Sequence, residues 1–264
     1  MSEMQTPILI NCQNASFGYE GKAVVKDLSF TVEPGDYLWV VGENGSGKTT
    51  LILGILKLLS PMEGNIVFND ELGIGYLSQL SVLKKDFPAG VDEVVLSGNL
   101  NNMGLRPFYN AREKARADEA MERLGIKDLR KKCYRELSGG QQRRVLLARA
   151  FCAAQVDPGR QNDAPNGEFA SNGKLASRRL LVLDEPAAGL DPLITVEVYE
   201  LLKKLNLETG ISIIMVSHDT RDAKQYANNI LHMEHGLGFF DSTAAYLGSE
   251  RGKKYFSHSA DKGV

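Results

Sequence analysis

Gly42-Glu-Asn-Gly-Ser-Gly-Lys-Thr-Thr50 (GENGSGKTT) separates two apolar runs, Tyr37-Leu-Trp-Val-Val41 before it and Leu51-Ile-Leu-Gly-Ile-Leu56 after it. The first run reads as a buried strand and the second as the start of a helix. The turn between them fits G-x-x-x-x-G-K-[ST], a phosphate cradle. Glycines let the backbone close around phosphate oxygens, and the N–H groups of the loop and of the helix start point at the anion. Lys48 is expected to reach the β- and γ-phosphates and the Thr49 hydroxyl to hold Mg2+. Gly42, Asn44, Gly45, Ser46, Gly47 and Thr50 complete the expected cradle. A chance match in a turn would lack the flanking strand and helix. The loop alone does not separate a kinase, a GTPase, a motor and a transport ATPase.

The whole chain sets bounds on the rest. Its 264 residues, 43% hydrophobic and 24% charged, suit one large α/β domain or two small ones. A net charge of −2 leaves no electrostatic footprint for nucleic acid. The short basic runs Arg130-Lys-Lys132 and Arg143-Arg144 read as solvated helix faces. Cys12, Cys133 and Cys152 are sparse, odd in number and without a C-x-x-C, the pattern of free thiols in a reducing compartment. The first residues lack the basic start and apolar core of a signal peptide. No apolar run approaches the roughly 20 residues of a spanning helix. A soluble, cytoplasmic chain is expected, with any membrane role passing through a partner.

Along the chain, Ile8–Ile10 and Phe17–Tyr19 are β-like, and Leu28, Phe30 and Val32 alternate with polar residues as in a half-buried strand. Pro34-Gly35 turns into the strand Tyr37–Val41. A helix over Leu51–Leu59 is expected to stop at Ser60-Pro61. Gly64–Phe68 and Gly75–Leu77 read as short strands. Residues 80–155 read as mainly helical: Val91–Ser97, Ala111–Leu124 with Lys114/Asp118 and Glu119/Arg123 pairs at i, i+4, and a helix from Ser138 to about Ala154. Leu180–Leu183 and Ile211–Val216 are runs of buried parallel-strand type, separated by a helix over 192–207. The stretch 155–178 is rich in Asn, Gly, Pro, Ser and Asp and reads as a surface loop.

Two further motifs narrow the chemistry. Leu180-Leu-Val-Leu-Asp184-Glu185 is an apolar strand ending in two acids. Asp184 is placed to hold Mg2+ through water and Glu185 to polarise an attacking water. Leu137-Ser-Gly-Gly-Gln141 opens a helix, with Ser138 and Gln141 at capping-box spacing. Gly139 and Gly140 weaken a plain helix start but expose backbone N–H groups, which suits a second anion site. One nucleotide needs only one cradle. Two such sites in one chain are most simply reconciled by two chains arranged head to tail, each completing the other's site.

On these motifs, and in this order, the chain resembles the ATP-binding cassette (ABC) ATPases, over about residues 8–245. The resemblance implies an α/β P-loop NTPase fold of the ABC ATPase type. Its parts are a RecA-like core, an N-terminal antiparallel β subdomain and an inserted helical subdomain. One ABC ATPase domain would span 1–264. Residues 1–79 and 180–245 would form the core with the β subdomain, 80–155 the helical subdomain, 155–178 an insertion and 246–264 a tail. Tyr19 matches the aromatic that stacks on adenine, and Gln79 the glutamine that contacts Mg2+ and water. Asp191, in Ala187-Ala-Gly-Leu-Asp191, belongs to the loop that crosses between protomers, and His218 matches the histidine that contacts the γ-phosphate. Ser138, Gly139, Gly140 and Gln141 would bind the partner's ATP. The segment Asp86-Phe-Pro88 with Val91–Gly98 is similar to ATPase subunits of zinc- and manganese-type uptake transporters, and cobalamin and iron-chelate importers share parts of it.

Implied with the family are ATP and Mg2+, hydrolysis coupled to transport, and an ATP-bound homodimer. An integral membrane permease would be the direct partner and an extracytoplasmic solute-binding protein an indirect one, at the cytoplasmic face of the membrane and without nucleic acid. A soluble single-cassette ATPase in an assembly or repair role stays open as a rival. His232-Met-Glu-His235 invites a metal-site reading. In a strand, positions three apart face opposite sides, so a buried strand ending in a turn is expected instead.

Overall fold

The computed structural model describes residues 8–79, 87–103, 106–155, 178–217 and 220–261. In chain order the first elements are β1 (Ile10–Tyr19), β2 (Lys22–Val32), β3 (Tyr37–Gly42), α1 (Lys48–Ile55), β4 (Glu63–Phe68) and β5 (Gly73–Leu77). A helical stretch follows: α2 (Val91–Leu96), α3 (Leu100–Met103), α4 (Ala111–Arg123) and α5 (Gly139–Ala154). The chain then returns to β6 (Arg179–Asp184), α6 (Pro192–Thr209), β7 (Ser212–Val216), α7 (Thr220–Tyr226), β8 (Asn229–Glu234), β9 (Leu237–Ser242), α8 (Thr243–Gly248) and α9 (Glu250–Asp261). Among the described residues no helix is long and apolar enough to cross a membrane.

The contacts divide the chain into two compact units, residues 1–70 with 212–264, and residues 71–211. In the first, the strands lie in the order β4-β1-β2-β9-β8-β3-β7. β1 pairs antiparallel with β2 and with β4, which builds the antiparallel N-terminal region. β3 runs parallel to both β7 and β8, with Tyr37 opposite Ile213 and Val41 opposite His232. All six residues of β3 are buried, as a strand flanked on both sides requires. Leu28, Phe30 and Val32 of β2 turn inward in the alternating pattern read from the sequence.

In the second unit β5 and β6 pair in parallel, Gly73 opposite Arg179 through Leu77 opposite Leu183. The helices α2 to α5 are inserted between these two strands in the chain. α5 buries Val145, Leu147, Ala148 and Phe151; removing each such apolar side chain from water contributes on the order of 1.5–3 kcal/mol for the larger ones.

Some boundaries differ from the sequence reading. α1 stops at Ile55 because Lys57 adopts a left-handed φ of 60°. The Leu58 N–H then bonds back to the Leu53 carbonyl at 2.9 Å and the Lys57 N–H to Gly54 at 3.1 Å, a Schellman-type stop well before Pro61. Glu119 does bond Arg123, at 2.8 Å, but Asp118 pairs with Arg130 at 2.6 Å rather than with Lys114. Gln155 closes α5 rather than opening a loop: it is buried and its carbonyl accepts from Arg116. Residues 156–177, the body of the expected loop, lie outside the described residues. The three cysteines are free, and burial pushes the Cys12 thiol up to about 12 and the Cys152 thiol to about 11.

Candidate functional site

The phosphate-loop residues belong to the first unit, where β3 delivers the chain into the loop and α1 begins at Lys48. Gly42, at φ 148°, lies so close to β8 that a Cβ there would sit 2.2 Å from the Met233 carbonyl oxygen. No side chain fits, which explains the residue type at this position. The Ser46 N–H bonds Glu43 O at 3.2 Å and the Leu51 N–H bonds Gly47 O at 2.9 Å, closing the turn and starting the helix. Lys48 is buried, with Nζ donating to Gly42 O at 2.7 Å and Glu43 O at 2.8 Å. Its charge is thereby held over the loop. Asn44, Gly45 and Thr49 are exposed at the loop, while Ser46, Gly47 and Thr50 are buried. The Ser46 hydroxyl has no hydrogen-bond partner among the described residues. Tyr19 ends β1 and is half-exposed, as a ring offered to a planar ligand must be.

The second unit gathers the acids. Because β5 and β6 run parallel, their carboxyl ends open on the same side, and open α/β sheets hold their chemistry at such ends. Gln79 follows β5, and Asp184 and Glu185 stand at and just beyond the end of β6. The Gln79 amide donates to Glu185 Oε2 at 2.6 Å. Burial, together with the charge of Asp184, raises the Tyr76 phenol above its ordinary value. Glu185 takes a left-handed φ of 48° directly before Pro186. That conformation is disfavoured for a residue with a side chain, and the α region is further disfavoured before proline.

Arg143 secures this corner. Its guanidinium donates Nε–H to the Pro186 carbonyl and a terminal N–H to the Glu185 carbonyl. Burial lowers its pKa, with Tyr134, Tyr199, Asp184 and Glu185 acting in the opposite direction. The sequence reading had placed Arg143 on a solvated face. Only the adjacent Arg144 behaves so, reaching Glu197 at 2.9 Å. A doublet of arginines does not reveal in sequence which of the two turns inward.

The Ser138–Gln141 turn forms the capping box read from its spacing. Ser138 Oγ accepts from the Gln141 N–H at 3.3 Å, and Gln141 Oε1 accepts from the Ser138 N–H at 3.1 Å. Ser138 and Gly139 are exposed at the N-terminus of the 16-residue α5. Gly140 is buried, and a Cβ there would come to 3.0 Å from Ile194. Asp191 caps α6, its carboxylate accepting from the Leu193 N–H at 2.9 Å. His218 lies outside the described residues. His232 is buried in β8 and bonds the Tyr246 hydroxyl through Nδ1 at 2.6 Å, whereas His235 is exposed in the following turn at φ 49°. Among the described residues no three His, Cys, Asp or Glu side chains are grouped to hold a metal ion.

Comparison with known proteins gives a consistent picture. The model of the ABC transporter family matches residues 25–155. The zinc uptake system ATP-binding protein ZurA of Listeria innocua is 33% identical over 248 residues, covering 90% of this chain and 87% of that protein. The zinc import ATP-binding protein ZnuC of Mannheimia succiniciproducens is 31% identical, covering 84% and 72%. Among solved structures, an inward-facing ABC transporter assigned provisionally to the metal-chelate type superposes with a TM-score of 0.77 at 25% identity, over 95% of this chain and 90% of that one.

Proposed function

The chain belongs to the family of ABC transporter ATP-binding proteins, and from that premise we propose that it hydrolyses MgATP to drive a membrane permease that imports a metal ion of the zinc or manganese type. The observation that carries the hydrolytic part is the Gln79–Glu185 contact of 2.6 Å at the carboxyl ends of two parallel strands. A carboxylate oriented by an amide donor supports the reading of Glu185 as the group that accepts a proton from water. The metal comes from the relatives, whose names specify zinc uptake and zinc import.

The family resemblance implies the roles, and the side-chain chemistry suits them. The phosphate loop from Gly42 to Thr50, with Lys48, binds the phosphates, and the exposed Tyr19 ring stacks on the base. The Thr49 hydroxyl and, in the other unit, the oxygens of Asp184 and Gln79 are hard donors of the kind Mg2+ takes. When bound, Mg2+ would neutralise charge on the phosphate oxygens. Glu185 takes a proton from the attacking water, and His218 steadies the γ-phosphate. The exposed helix start Ser138–Gln141, with Asp191, meets the nucleotide and the partner in an ATP-bound homodimer. Import further implies an extracytoplasmic solute-binding protein and placement of this subunit on the cytoplasmic side of the permease.

Reconstitution with the permease in proteoliposomes tests this reading. ATP-dependent uptake of radioactive zinc or manganese is expected. Uptake of cobalamin or an iron chelate in place of either ion would overturn the metal assignment. Failure to co-purify with any permease from detergent-solubilised membranes would favour the soluble-cassette rival.

A further inference from the structure

A turn beyond its exposed start at Ser138, α5 carries an arginine that faces inward. Arg143 is buried, and among the described residues no carboxylate pairs with its guanidinium. The guanidinium donates instead to two successive carbonyls, those of Glu185 and Pro186. Burying a guanidinium without a paired counter-ion is costly, so a neutral residue would serve packing better. What arginine supplies is shape, a rigid planar fork whose N–H groups reach two acceptors at once. Attachment of the helix does not require it. Gln142 already donates to Tyr134 O at 3.0 Å, and Arg144 pairs with Glu197 at 2.9 Å.

The two carbonyls belong to the backbone that aims the Glu185 side chain. Glu185 stands at φ 48°, a conformation that residues with a Cβ adopt rarely. Pro186 has no N–H to add to a turn. The Glu185 carbonyl also accepts from the Ala188 N–H at 3.1 Å, so one turn bond and the arginine together fix its peptide plane. That plane sets ψ of Glu185, and φ and ψ together decide where the carboxylate is carried. At its far end the carboxylate accepts from the Gln79 amide at 2.6 Å. The amide thus orients the tip of the side chain, and the arginine holds its root.

We propose that Arg143 is a positioning residue for the hydrolytic step: its fork holds the Glu185–Pro186 backbone so that the Glu185 carboxylate stays where it can take a proton from water. This rests on the reading of Glu185 as the base. Arg143 acts through the backbone of Glu185 and not on the nucleotide. It therefore changes the rate of hydrolysis and leaves nucleotide affinity, which belongs to the phosphate loop.

The test is a double-mutant cycle in the full chain. Arg143→Met removes both donors from a side chain of similar reach, whereas Arg143→Lys keeps the charge but cannot span both carbonyls as the fork does. Single-turnover ATP hydrolysis, binding of a fluorescent ATP analogue and melting temperature are measured for each, alone and combined with Glu185→Gln. Arg143→Met is expected to slow hydrolysis by about ten- to a hundredfold, the scale that a displacement of about 1 Å in a reacting group produces, with Kd for the analogue retained. Arg143→Lys is expected to recover part of that rate. Added to Glu185→Gln, Arg143→Met should cause little further loss, because a group that acts only through the base then has nothing to position. An equal loss in both backgrounds overturns the proposal, since a purely structural residue would act alike in each. So does an unchanged rate in Arg143→Met, or a rise in Kd that matches the loss of rate. If Arg143→Met does not fold, Arg143→Lys carries the same cycle and is decided by the same outcomes. Near-normal hydrolysis by Glu185→Gln alone would instead reject the base reading, and the proposal with it.

Discussion

Replacing Glu185 by Gln separates the base from its surroundings. The Gln79 Nε2 donates to Glu185 Oε2 at 2.6 Å, and a Gln side-chain oxygen can still accept that bond. The change turns a charged acceptor into a neutral one. Charged hydrogen bonds contribute about 1.5–3 kcal/mol and neutral ones about 0.5–1.5, so the altered contact accounts for roughly 1 kcal/mol, less after screening at this solvent-accessible corner. That is under about tenfold in rate. Loss of general-base help costs about 10²–10⁴-fold. The two effects are thus separable by size. ATP hydrolysis in single-turnover assays is expected to fall by more than about a hundredfold, while nucleotide binding persists because the Gly42–Thr50 loop and Asp184 are untouched. Unhydrolysed MgATP should then hold two chains together on a sizing column. Adding Ser138→Arg, which puts bulk and charge at the exposed start of α5, should return them to monomer. A fall of less than about tenfold would refute the assignment of the base. An ATP-trapped dimer indifferent to Ser138→Arg would refute the role of that helix start.

Gly42→Ala drives a Cβ to 2.2 Å from Met233 O at a φ of 148°, so roughly 2–4 kcal/mol of stability should be lost in urea unfolding, and an unchanged midpoint would contradict the close packing of loop and β8. Burial lowers the His232 pKa below 6.5, with Glu234 and Glu43 opposing and Arg251 reinforcing the shift. The folded state therefore favours neutral imidazole: its contribution is complete above the unfolded value and is lost as pH falls through 6.5 toward the folded one. The melting temperature should drop more between pH 7.5 and 5.5 in the native chain than in His232→Gln, and parallel profiles would rule the histidine out. Phe87 is a half-exposed aromatic ahead of α2; if it meets the permease proposed above, Phe87→Asp should abolish uptake in proteoliposomes while ATPase activity of the isolated subunit persists. Equal loss of both would make Phe87 a folding residue.

What the sequence made legible was local. A glycine-rich turn between two apolar runs, a strand ending in two acids and a serine three residues before a glutamine each encode their geometry within a few residues. β3, β6 and the start of α5 appear where those signals lie. The early end of α1 was hidden because Lys57 carries no chemical mark of a left-handed conformation, which glycine or asparagine would have given. The partner of Asp118 was hidden because Arg130 lies a turn beyond the helix, and proximity in the chain favoured Lys114. Arg143 was hidden for a stronger reason: its partners are the backbone carbonyls of Glu185 and Pro186, and carbonyls carry no residue-type signal at all. The contact of Gly42 with Met233 belongs to the same class, since it exists only once β3 and β8 are paired.

The corner at Glu185 shows why such unreadable contacts gather around candidate chemistry. A non-glycine residue at φ 48° costs of order 1–3 kcal/mol, and the proline that follows narrows its options further. Glycine would relieve the strain but would remove the carboxylate that accepts from Gln79. Stability and the carboxylate therefore make opposite demands on this position. The buried Arg143 and the amide bonded to the carboxylate are two fixtures that help hold the less stable choice in place. Loosening either should move the carboxylate before it unfolds the chain, because the strain at this corner is relieved locally while β6 keeps Leu180 to Leu183 buried and stays paired with β5.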